Sequence, residues 1–409
     1  MMISKSENLK IIKSRHRLAV ICLLCIIFAI EMTNQTIGFD AKRIVSNSTG
    51  LGNYSRTLVG DLHREAPQIP MLLYALDRGS LQLRSQLQED ATLRFVFPDR
   101  PRLWVQRKLW RLRGIVDYLQ RDGVTLYHGL TGELPFGLRE AGIRQVVTVH
   151  DLIFLRHPKY YHRIDVQIYR KKFRWSMMAA DRIIAISERT KQDIIELGGV
   201  DESRIDVVYQ SCAPRFTVNA GAERLAEVSH TYSLPSCFVL SVGSIEERKN
   251  LELVVRALAL LPSQVHLVAV GRPTKYEERL RDEALRIGVS QRVHLLHNVP
   301  NHDLQALYQM AQAFVYPSRY EGFGIPIIEA IHSGLPVVAA TGSCLEEAGG
   351  PDCLYVSPDD HQAMARAITL LLSEGKESER IGRSREYVGR FSNANTARQV
   401  LQVYEKALL

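Results

Sequence analysis

Cysteine is scarce in this sequence, and its few residues are scattered. Only six occur among 409 residues: two lie in an apolar N-terminal run, and the others are at positions 212, 237, 344 and 353. This spacing matches neither a disulfide framework nor a structural zinc site, and it favours a reducing compartment. Proline and glycine number 16 and 26, while 46% of the residues are apolar. These values exclude a collagen-like or disordered chain and leave room for two hydrophobic cores.

A strong charge imbalance is also absent. The formal net charge is +8, of which +3 lies in residues 1–31. The remaining chain is mildly basic, which permits contact with phosphates or with an anionic membrane surface. It does not require a nucleic-acid partner, and we expect none.

The apolar run near the N-terminus is too short for a standard membrane span. Residues 18–30 carry no charge, but they number 13, whereas a spanning helix needs about 20. Basic residues precede this run, no small-residue cleavage site follows it, and the chain from Thr36 already has the pattern of a first core strand. We interpret residues 1–31 as an upstream extension from a misassigned start codon. A membrane anchor and a signal peptide are the alternatives.

Short β-branched or apolar runs alternate with amphipathic stretches in two series, one ending near residue 209 and the other running from 238 to 356. This rhythm predicts an α/β protein with two doubly wound, Rossmann-like domains that face a central cleft. The predicted parts are an N-terminal, acceptor-side domain over 32–211, a linker over 212–234, a C-terminal, nucleotide-binding domain over 235–392, and a C-terminal helix over 393–409 that can cross back to the first domain.

The most informative motif is SRYEGFGIPIIEA, over residues 318–330. It follows an apolar run, and its pattern is that of a glycine-containing loop opening a helix. Pro326 suits the first helical turn, the glycines let backbone amides approach a ligand, and a helix N-terminus attracts phosphate. Glu321 in the loop and Glu329 in the helix would then frame a nucleotide-linked substrate. The alternative is that Glu329 only complements the helix dipole and Glu321 is a surface charge.

A second motif, SVGSIEERKN, occupies residues 241–250 and also follows a predicted buried strand. Arg248 can bind two phosphate oxygens, and Lys249 can supply a point charge. Together they would neutralise a diphosphate without a metal ion. An ordinary polar loop with Glu–Arg pairs is the alternative.

Together the two motifs resemble those of the retaining sugar-nucleotide transferases of glycosyltransferase family 4, which have the GT-B fold. The resemblance extends over nearly all of residues 33–409. It implies that Glu329 binds the ribose of a nucleotide sugar, that Glu321 lies near the donor sugar or phosphate, and that Arg248 and Lys249 bind the diphosphate. Further donor-binding positions implied in these motifs are Gly243, Gly322, Phe323, Gly324 and Ile325.

In the first half of the chain the resemblance implies two further groups. Gly50 and Gly52 would form a glycine-rich loop facing the donor diphosphate, with a plain tight turn as the alternative. His150 would contact the transferring sugar or the acceptor, and Asp151 and His128 would lie on the acceptor side. A structural role is the alternative for both histidines.

Two other patterns in the first half have simpler interpretations. Ser187 and Thr190 follow an apolar run, and they predict a capping box that opens the next helix. Residues 100–113 hold six basic side chains around Trp104 and Trp110, without an acidic residue. This segment suits peripheral contact with an anionic bilayer, and a solvated helix face packed through its tryptophans is the alternative.

The resemblance implies a hexosyltransferase that retains anomeric configuration. The donor would be GDP-mannose or a UDP-sugar, and the acceptor a saccharide or lipid-linked saccharide in cell-envelope polysaccharide or lipopolysaccharide synthesis. The catalytic residues would be Glu321, His150, Arg248 and Lys249. We expect no cofactor besides the donor substrate and no metal ion, since no Asp-x-Asp motif stands beside the predicted diphosphate site. The expected location is the cytoplasm, peripherally at the inner face of the membrane.

Three other functions fit parts of the pattern. A non-hydrolysing sugar-nucleotide epimerase shares the two-domain architecture, and a catalytically silent protein could bind a nucleotide sugar without consuming it. A nicotinamide-dependent dehydrogenase is disfavoured, because the turn at Gly50 and Gly52 lacks both the third glycine and the acidic ribose partner of that class.

Overall fold

A computed structural model describes residues 35–98 and 109–409. The extension predicted over residues 1–31 and most of the basic segment lie outside the described residues. Contacts divide the chain into two compact units. The first unit takes the chain up to Val147 together with Ala179–Asp181 and Leu401–Leu409, and the second takes Thr148–Met178 and Arg182–Val400. The domain boundaries predicted above follow the two sheets instead and remain a prediction.

Strands and helices alternate through the described chain, as the sequence pattern predicted. The strands are β1 (Ile37–Asp40), β2 (Met71–Tyr74), β3 (Leu93–Val96), β4 (Leu126–Gly129), β5 (Arg144–Val149), β6 (Arg182–Ala185), β7 (Ile205–Val207), β8 (Phe238–Val242), β9 (His266–Val270), β10 (Val293–Leu296), β11 (Ala313–Tyr316), β12 (Val337–Ala340) and β13 (Leu354–Val356). The α-helices are α1 (Lys42–Ser46), α2 (Gly50–Glu65), α3 (Leu81–Arg84), α4 (Ile115–Arg121), α5 (Ile153–Arg156), α6 (Arg163–Ala179), α7 (Glu188–Gly198), α8 (Ala222–Thr231), α9 (Leu251–Leu258), α10 (Tyr276–Arg286), α11 (Asn301–Met310), α12 (Ile325–His332), α13 (Leu345–Gly349), α14 (His361–Glu374), α15 (Glu379–Val388) and α16 (Asn393–Leu408).

The strands form two sheets. A seven-stranded sheet has the order β3-β2-β1-β4-β5-β6-β7, and a six-stranded sheet has the order β10-β9-β8-β11-β12-β13. Neighbours are parallel, as where Phe314 of β11 lies beside Leu240 on one side and Val337 on the other. In both sheets the strand order reverses next to the first strand of the series, which is the position where open parallel sheets bind ligands.

Both faces of the six-stranded sheet are covered by helices. Apolar side chains of α9, α10 and α14 pack on one face, and those of α11, α12 and α15 pack on the other. Burial on both sides explains why strands such as β11 and β12 are continuous apolar runs rather than alternating ones. The sheet and its two helix layers form the doubly wound arrangement that the sequence predicted.

Residues 212–234, predicted as a linker, hold ordered structure. They contain a 3₁₀ turn, Pro214–Thr217, and α8. Arg224 and Tyr232 both bind Asp303 of α11, and the Tyr232 hydroxyl donates to its carboxylate at 2.7 Å. Within α8 only Val228 is fully buried, and Leu225 packs partly buried against the core.

The C-terminal helix predicted over 393–409 is α16. Its last residues, Leu401–Leu409, belong to the first unit. There the Tyr404 hydroxyl lies 2.7 Å from Nδ1 of His128. Among the described residues no helix combines the length and the apolar character that crossing a bilayer requires.

Candidate active site

The two charged motifs of the second unit lie side by side at the carboxyl ends of β8 and β11. The Arg319 backbone N–H donates to the Arg248 carbonyl at 2.9 Å. The Asn250 side chain donates to the carbonyls of Pro317, at 3.1 Å, and Pro358, at 2.8 Å. Asn250 has a left-handed backbone (φ 56°), a conformation that asparagine tolerates, and α9 starts directly after it. The two loops are therefore fixed to each other through their backbones.

Glu321 is the centre of an ionic cluster between these loops. Its Oε2 lies 2.9 Å from Nη1 of Arg248, and its Oε1 accepts a hydrogen bond from Nζ of Lys249 at 2.5 Å. The Ser318 hydroxyl donates to the same Oε1 at 2.5 Å. Lys249 also donates to the Tyr316 hydroxyl at 2.8 Å. The sequence predicted Glu321, Arg248 and Lys249 for one site, and the structure brings them into direct contact.

Opposite charge decides the protonation of this cluster. Burial disfavours the ionised form of Glu321, but Arg248 and Lys249 outweigh it and lower the pKa of this carboxyl to about 2. Burial lowers the pKa of Lys249, although Glu321 partly offsets the effect. Arg248 also pairs with Glu246 at 2.7 Å, so the two cations face two carboxylates. A diphosphate entering here would compete with those carboxylates for the same cations.

The acidic loop is pinned to the end of β5 and to α7. A Cβ built on Gly322 would lie 1.9 Å from the His150 carbonyl oxygen, so only glycine permits this approach. The Ser187 hydroxyl donates to the Gly322 carbonyl at 2.7 Å, and the Thr190 hydroxyl donates to it at 3.2 Å. Ser187 also caps α7, since its Oγ accepts the Thr190 N–H at 3.0 Å. The predicted helix cap is confirmed. Ser187 also holds the acidic loop in place through its bond to the Gly322 carbonyl.

His150 and Asp151 lie beside this loop, and charges of the ionic cluster act on Asp151. Burial raises the pKa of Asp151, whereas Arg248 and Lys249 lower it. The Gln210 amide nitrogen is 3.0 Å from Nδ1 of His150. Because that nitrogen donates, Nδ1 accepts and the neutral ring carries its proton on Nε2. His150 is thereby oriented as a hydrogen-bond donor through Nε2.

Tyr320, next to Glu321, anchors the acidic loop to α7. Its hydroxyl donates to Asp193 and accepts from Nε of Arg189 at 2.8 Å. Asp193 is buried and also pairs with Arg156 at 2.6 Å and with Arg189 at 3.1 Å. Burial, together with Asp193, raises the pKa of Tyr320 to about 12. The hydroxyl therefore stays protonated and keeps its bond to Asp193 across the physiological range.

Glu329 lies in α12, which starts after Gly324. Gly324 has φ 153°, a conformation that favours glycine, and a Cβ on it would come within 2.9 Å of the Ala348 Cβ. Oε2 of Glu329 accepts the Tyr308 hydroxyl at 2.9 Å. Burial raises the pKa of Glu329 to about 7, and the Tyr308 bond only partly opposes this. Near neutral pH the group can therefore either accept or donate a hydrogen bond, which suits recognition of a ribose hydroxyl.

The glycine-rich loop predicted at Gly50 and Gly52 is instead the start of a helix. Both glycines lie in the first turn of α2, after the N-cap Thr49. The Asn47 side chain accepts the N–H groups of Thr49, at 2.8 Å, and Gly52, at 3.3 Å. A Cβ on Gly52 would lie 1.9 Å from the Asn47 carbonyl oxygen, which explains the glycine. The loop conformation was wrong, and a donor role for these residues remains a prediction.

His128 is fully buried in the first unit, with 0% of its surface exposed. Its ring contacts Phe39 and Tyr404, with centroids 5.9 and 5.5 Å away. The expectation that His128 lines an acceptor surface is not met in this structure, because Tyr404 of the C-terminal helix covers it. The burial and contacts of His128 fit the alternative stated above, a structural role.

The described end of the basic segment packs against the protein through Trp110 and Arg111, while Leu109, Leu112 and Arg113 are exposed. Trp110 is buried against Tyr118, with ring centroids 5.8 Å apart. Arg111 pairs with Asp40 at 3.0 Å and with Glu133 at 2.8 Å. Residues 100–108, with four of the basic side chains, lie outside the described residues.

Several residues of the site were not predicted from the sequence. Ser318 lies in a recognised motif and Tyr316 ends the strand just before it, so their positions at the end of β11 were a usable signal. Gln210 and Asp193 come from distant elements and left no signal. Glu347 likewise accepts the N–H groups of Glu188, at 2.7 Å, and Arg189, at 3.0 Å, at the start of α7. Within the described ranges, no group of three or more His, Cys, Asp or Glu side chains is placed to hold a metal ion.

Two parallel sheets, with a cationic loop and an acidic loop at the switch point of the second, have the architecture of the GT-B glycosyltransferases. The sequence models agree. The model described as Glycosyl transferases group 1 matches residues 232–386, and that described as Glycosyltransferase Family 4 matches residues 49–211. The chain belongs to glycosyltransferase family 4 and is a transferase, as its motifs predicted.

Named relatives belong to the same class of enzyme, and solved structures share the fold. The chain is 29% identical to the O-antigen chain mannosyltransferase B of Escherichia coli over 73% of this chain and 77% of that one. It is 28% identical to the O-antigen chain mannosyltransferase RfbU of Salmonella typhimurium, over 74% and 78%. A glycosyltransferase structure from Rickettsia africae shares the fold with a TM-score of 0.71 at 17% identity, covering 91% of this chain and 98% of that one. The Anabaena HepE structure in complex with UDP has a TM-score of 0.70 at 16% identity, with 91% and 99% covered.

Proposed function

We propose that this enzyme transfers a hexose from a nucleoside-diphosphate sugar to a saccharide or lipid-linked saccharide during synthesis of a cell-envelope polysaccharide. The observation that carries the proposal is the contact of Arg248 and Lys249 with Glu321 at the end of the central strands. GDP-mannose is the preferred donor, because two relatives are named as O-antigen chain mannosyltransferases. A UDP-sugar is the alternative, since HepE, with the same fold, was solved with UDP.

Donor binding would rearrange the ionic cluster. In the structure Glu321 pairs with Arg248 at 2.9 Å and with Lys249 at 2.5 Å. A diphosphate carries more negative charge than one carboxylate, and it would take over Arg248 and Lys249. Glu321 would then turn from the cations towards the donor sugar, as the family resemblance implies.

The same cations would lower the barrier to transfer. Breaking the bond between the sugar and the diphosphate leaves negative charge on the phosphate and positive charge on the sugar ring. Arg248, Lys249 and the backbone amides at the start of α12 are fixed in advance to offset the phosphate charge. We propose that the leaving phosphate helps to deprotonate the acceptor hydroxyl on the same face, which retains the anomeric configuration, and that the Nε2 proton of His150 binds a sugar oxygen.

Glu329 would bind the ribose. Its carboxyl lies one turn into α12, the helix whose N-terminus would bind the phosphate, so one helix would hold two adjacent parts of the nucleotide. Tyr308 fixes the orientation of the carboxyl through its 2.9 Å bond. This role rests on the family resemblance together with that geometry.

The test is a transfer assay with the full chain. We expect GDP-mannose, or failing that a UDP-hexose, to label an envelope oligosaccharide or lipid-linked acceptor with release of one nucleoside diphosphate per sugar. Lys249→Met should lower turnover by about 10²- to 10³-fold, the usual cost of removing one fixed donor from a transition state. Lys376→Met is the matched control, because this lysine binds the Gln309 carbonyl, away from the cluster. An isomerised nucleotide sugar formed without acceptor would identify an epimerase and contradict the proposal.

A further inference from the structure

Three consecutive backbone carbonyls of the acidic loop, those of residues 321–323, are all bound by side chains from other elements of the second unit. Two hydroxyls at the start of α7 hold the Gly322 carbonyl, at 2.7 and 3.2 Å. Sγ of Cys344 lies 2.7 Å from the Phe323 carbonyl oxygen and 3.1 Å from the Glu321 carbonyl oxygen. Every carbonyl of this segment therefore has a fixed partner.

Cys344 belongs to the loop after a third strand of the same sheet. It follows β12, which pairs with β11 on the side away from β8, and it lies directly before α13. Its side chain is fully buried, with 0% of its surface exposed. Burial, reinforced by the charge of Glu321, raises the pKa of the thiol well above its ordinary value. The thiol therefore stays protonated and can donate to a carbonyl, whereas a thiolate would repel both oxygens.

The N–H groups of the same peptides have a different environment from their carbonyls. Within the part of the chain that the structure describes, the backbone N–H groups of Phe323 and Gly324 have no acceptor. A peptide unit is planar, and in its trans form the N–H points away from the carbonyl of the preceding residue. Holding the Gly322 and Phe323 carbonyls therefore also fixes the directions of these two N–H groups.

We propose that Cys344 is a positioning residue for the donor diphosphate. The thiol holds the Phe323 carbonyl, and this directs the Gly324 N–H, at the start of α12, to the side opposite Cys344. Its contact with the Glu321 carbonyl also restrains the backbone that carries the Glu321 carboxylate. That the anion bound there is the diphosphate of a sugar donor rests on the proposed function.

The binding experiment isolates the hydrogen that Cys344 donates. Cys344→Ala and Cys344→Ser differ by one hydroxyl group, and that hydroxyl can donate to the same carbonyls. The probe is inorganic pyrophosphate, titrated into the full chain by isothermal titration calorimetry without nucleotide or acceptor. We expect Cys344→Ala to raise the dissociation constant by about tenfold, which corresponds to losing one hydrogen bond to a charged group. Cys344→Ser should stay within about threefold of the unaltered chain.

Hexose transfer by the same variants gives a second readout. The amides at the start of α12 would act on the charge that develops on the leaving phosphate, so their direction should affect turnover. We expect Cys344→Ala to lower kcat by at least about tenfold and Cys344→Ser to restore it to within about threefold.

Cys353→Ala is the matched control. Cys353 is also buried, with 5% of its surface exposed, and its Sγ lies 3.2 Å from the Gly349 carbonyl oxygen at the other end of α13. Its removal should lower the melting temperature about as much as Cys344→Ala does. Pyrophosphate affinity and kcat should stay within about twofold of the unaltered chain. Circular dichroism melting of each variant records the stability loss separately from binding and turnover.

Two results would overturn the positioning role: a Cys344→Ala variant that binds pyrophosphate as tightly as Cys353→Ala, or a Cys344→Ser variant that binds it no better than Cys344→Ala. An unaltered chain that binds no pyrophosphate would overturn it as well. A chain that shows the expected binding pattern but transfers no hexose would contradict the proposed function alone.

Discussion

The raised pKa of Glu329, in the candidate ribose site, should make the free energy of unfolding depend on pH. Burial raises its pKa from an ordinary value of 4.5 to about 7 in the folded chain. The folded chain therefore keeps a proton that the unfolded chain releases. Stability from this group is fully present below pH 4.5 and is lost as the pH rises through about 7. Each pKa unit is worth about 1.4 kcal/mol, so the change between pH 5 and pH 8 is about 2 to 3 kcal/mol.

Glu329→Gln isolates this effect. Glutamine still accepts the Tyr308 hydroxyl bond, but it cannot ionise. At pH 8 the folded variant avoids the cost of a buried carboxylate, and at pH 5 both folded chains are neutral at this position. We expect the free energy of unfolding of the variant, relative to the unaltered chain, to rise by about 2 to 3 kcal/mol from pH 5 to pH 8.

The assay is urea unfolding at the two pH values, followed by tryptophan fluorescence. Glu374→Gln is the control with the opposite sign. Its hydrogen bond and charge contact with Arg380 lower the pKa of Glu374, so removing the charge should destabilise the chain at pH 8. A stability difference between Glu329→Gln and the unaltered chain that is the same at both pH values would refute a buried, proton-binding Glu329.

Two further substitutions test how the acidic loop is held. Gly322→Ala places a Cβ 1.9 Å from the His150 carbonyl oxygen, so we expect the loop to shift and kcat for hexose transfer to fall by at least about tenfold. The control is Gly389→Ala, where an added Cβ meets no atom within 4 Å. Equal kinetics for the two variants would contradict this expectation. Tyr320→Phe leaves the buried Asp193 without one of its donors and should lower the free energy of unfolding by about 1 to 3 kcal/mol in urea titrations, whereas an unchanged midpoint would exclude this anchor.

The central strands of the sheets could be predicted because they are buried on both faces. Continuous apolar runs such as β11 and β12 can be recognised in the sequence. Their alternation with amphipathic stretches is typical of parallel sheets. Helix α8 could not be predicted in the same way, because it buries only Val228. The pattern that marks a helix depends on how much of it packs against the core.

The glycines and histidines show where local sequence stops being informative. Gly50 and Gly52 fit a loop and a helix start equally well, and the helix start is favoured by the Asn47 side chain, which accepts the N–H groups of Thr49 and Gly52. His128 lies near the end of β4 and His150 directly follows β5, yet Tyr404, 276 residues after His128, buries the first histidine. Tertiary contacts of this kind leave no trace near either histidine.

The ionic cluster was only half predictable. Arg248 and Lys249 follow β8, Glu321 follows its neighbour β11, and carboxyl ends of adjacent parallel strands meet at one sheet edge. Direct pairing of Glu321 with both cations depends on side-chain geometry, which spacing does not determine. Because Glu321 already pairs with both cations, the diphosphate of the donor should replace the Glu321 carboxylate at Arg248 and Lys249.

The most direct measurement of that claim is hexose transfer by the full chain and by Lys249→Met, with GDP-mannose and UDP-hexoses offered in parallel. We expect one donor class to label the acceptor and to release its nucleoside diphosphate, with turnover about 10²- to 10³-fold lower in the variant and unchanged in Lys376→Met. Transfer at the same rate by Lys249→Met, or no transfer from any nucleotide sugar, would contradict it.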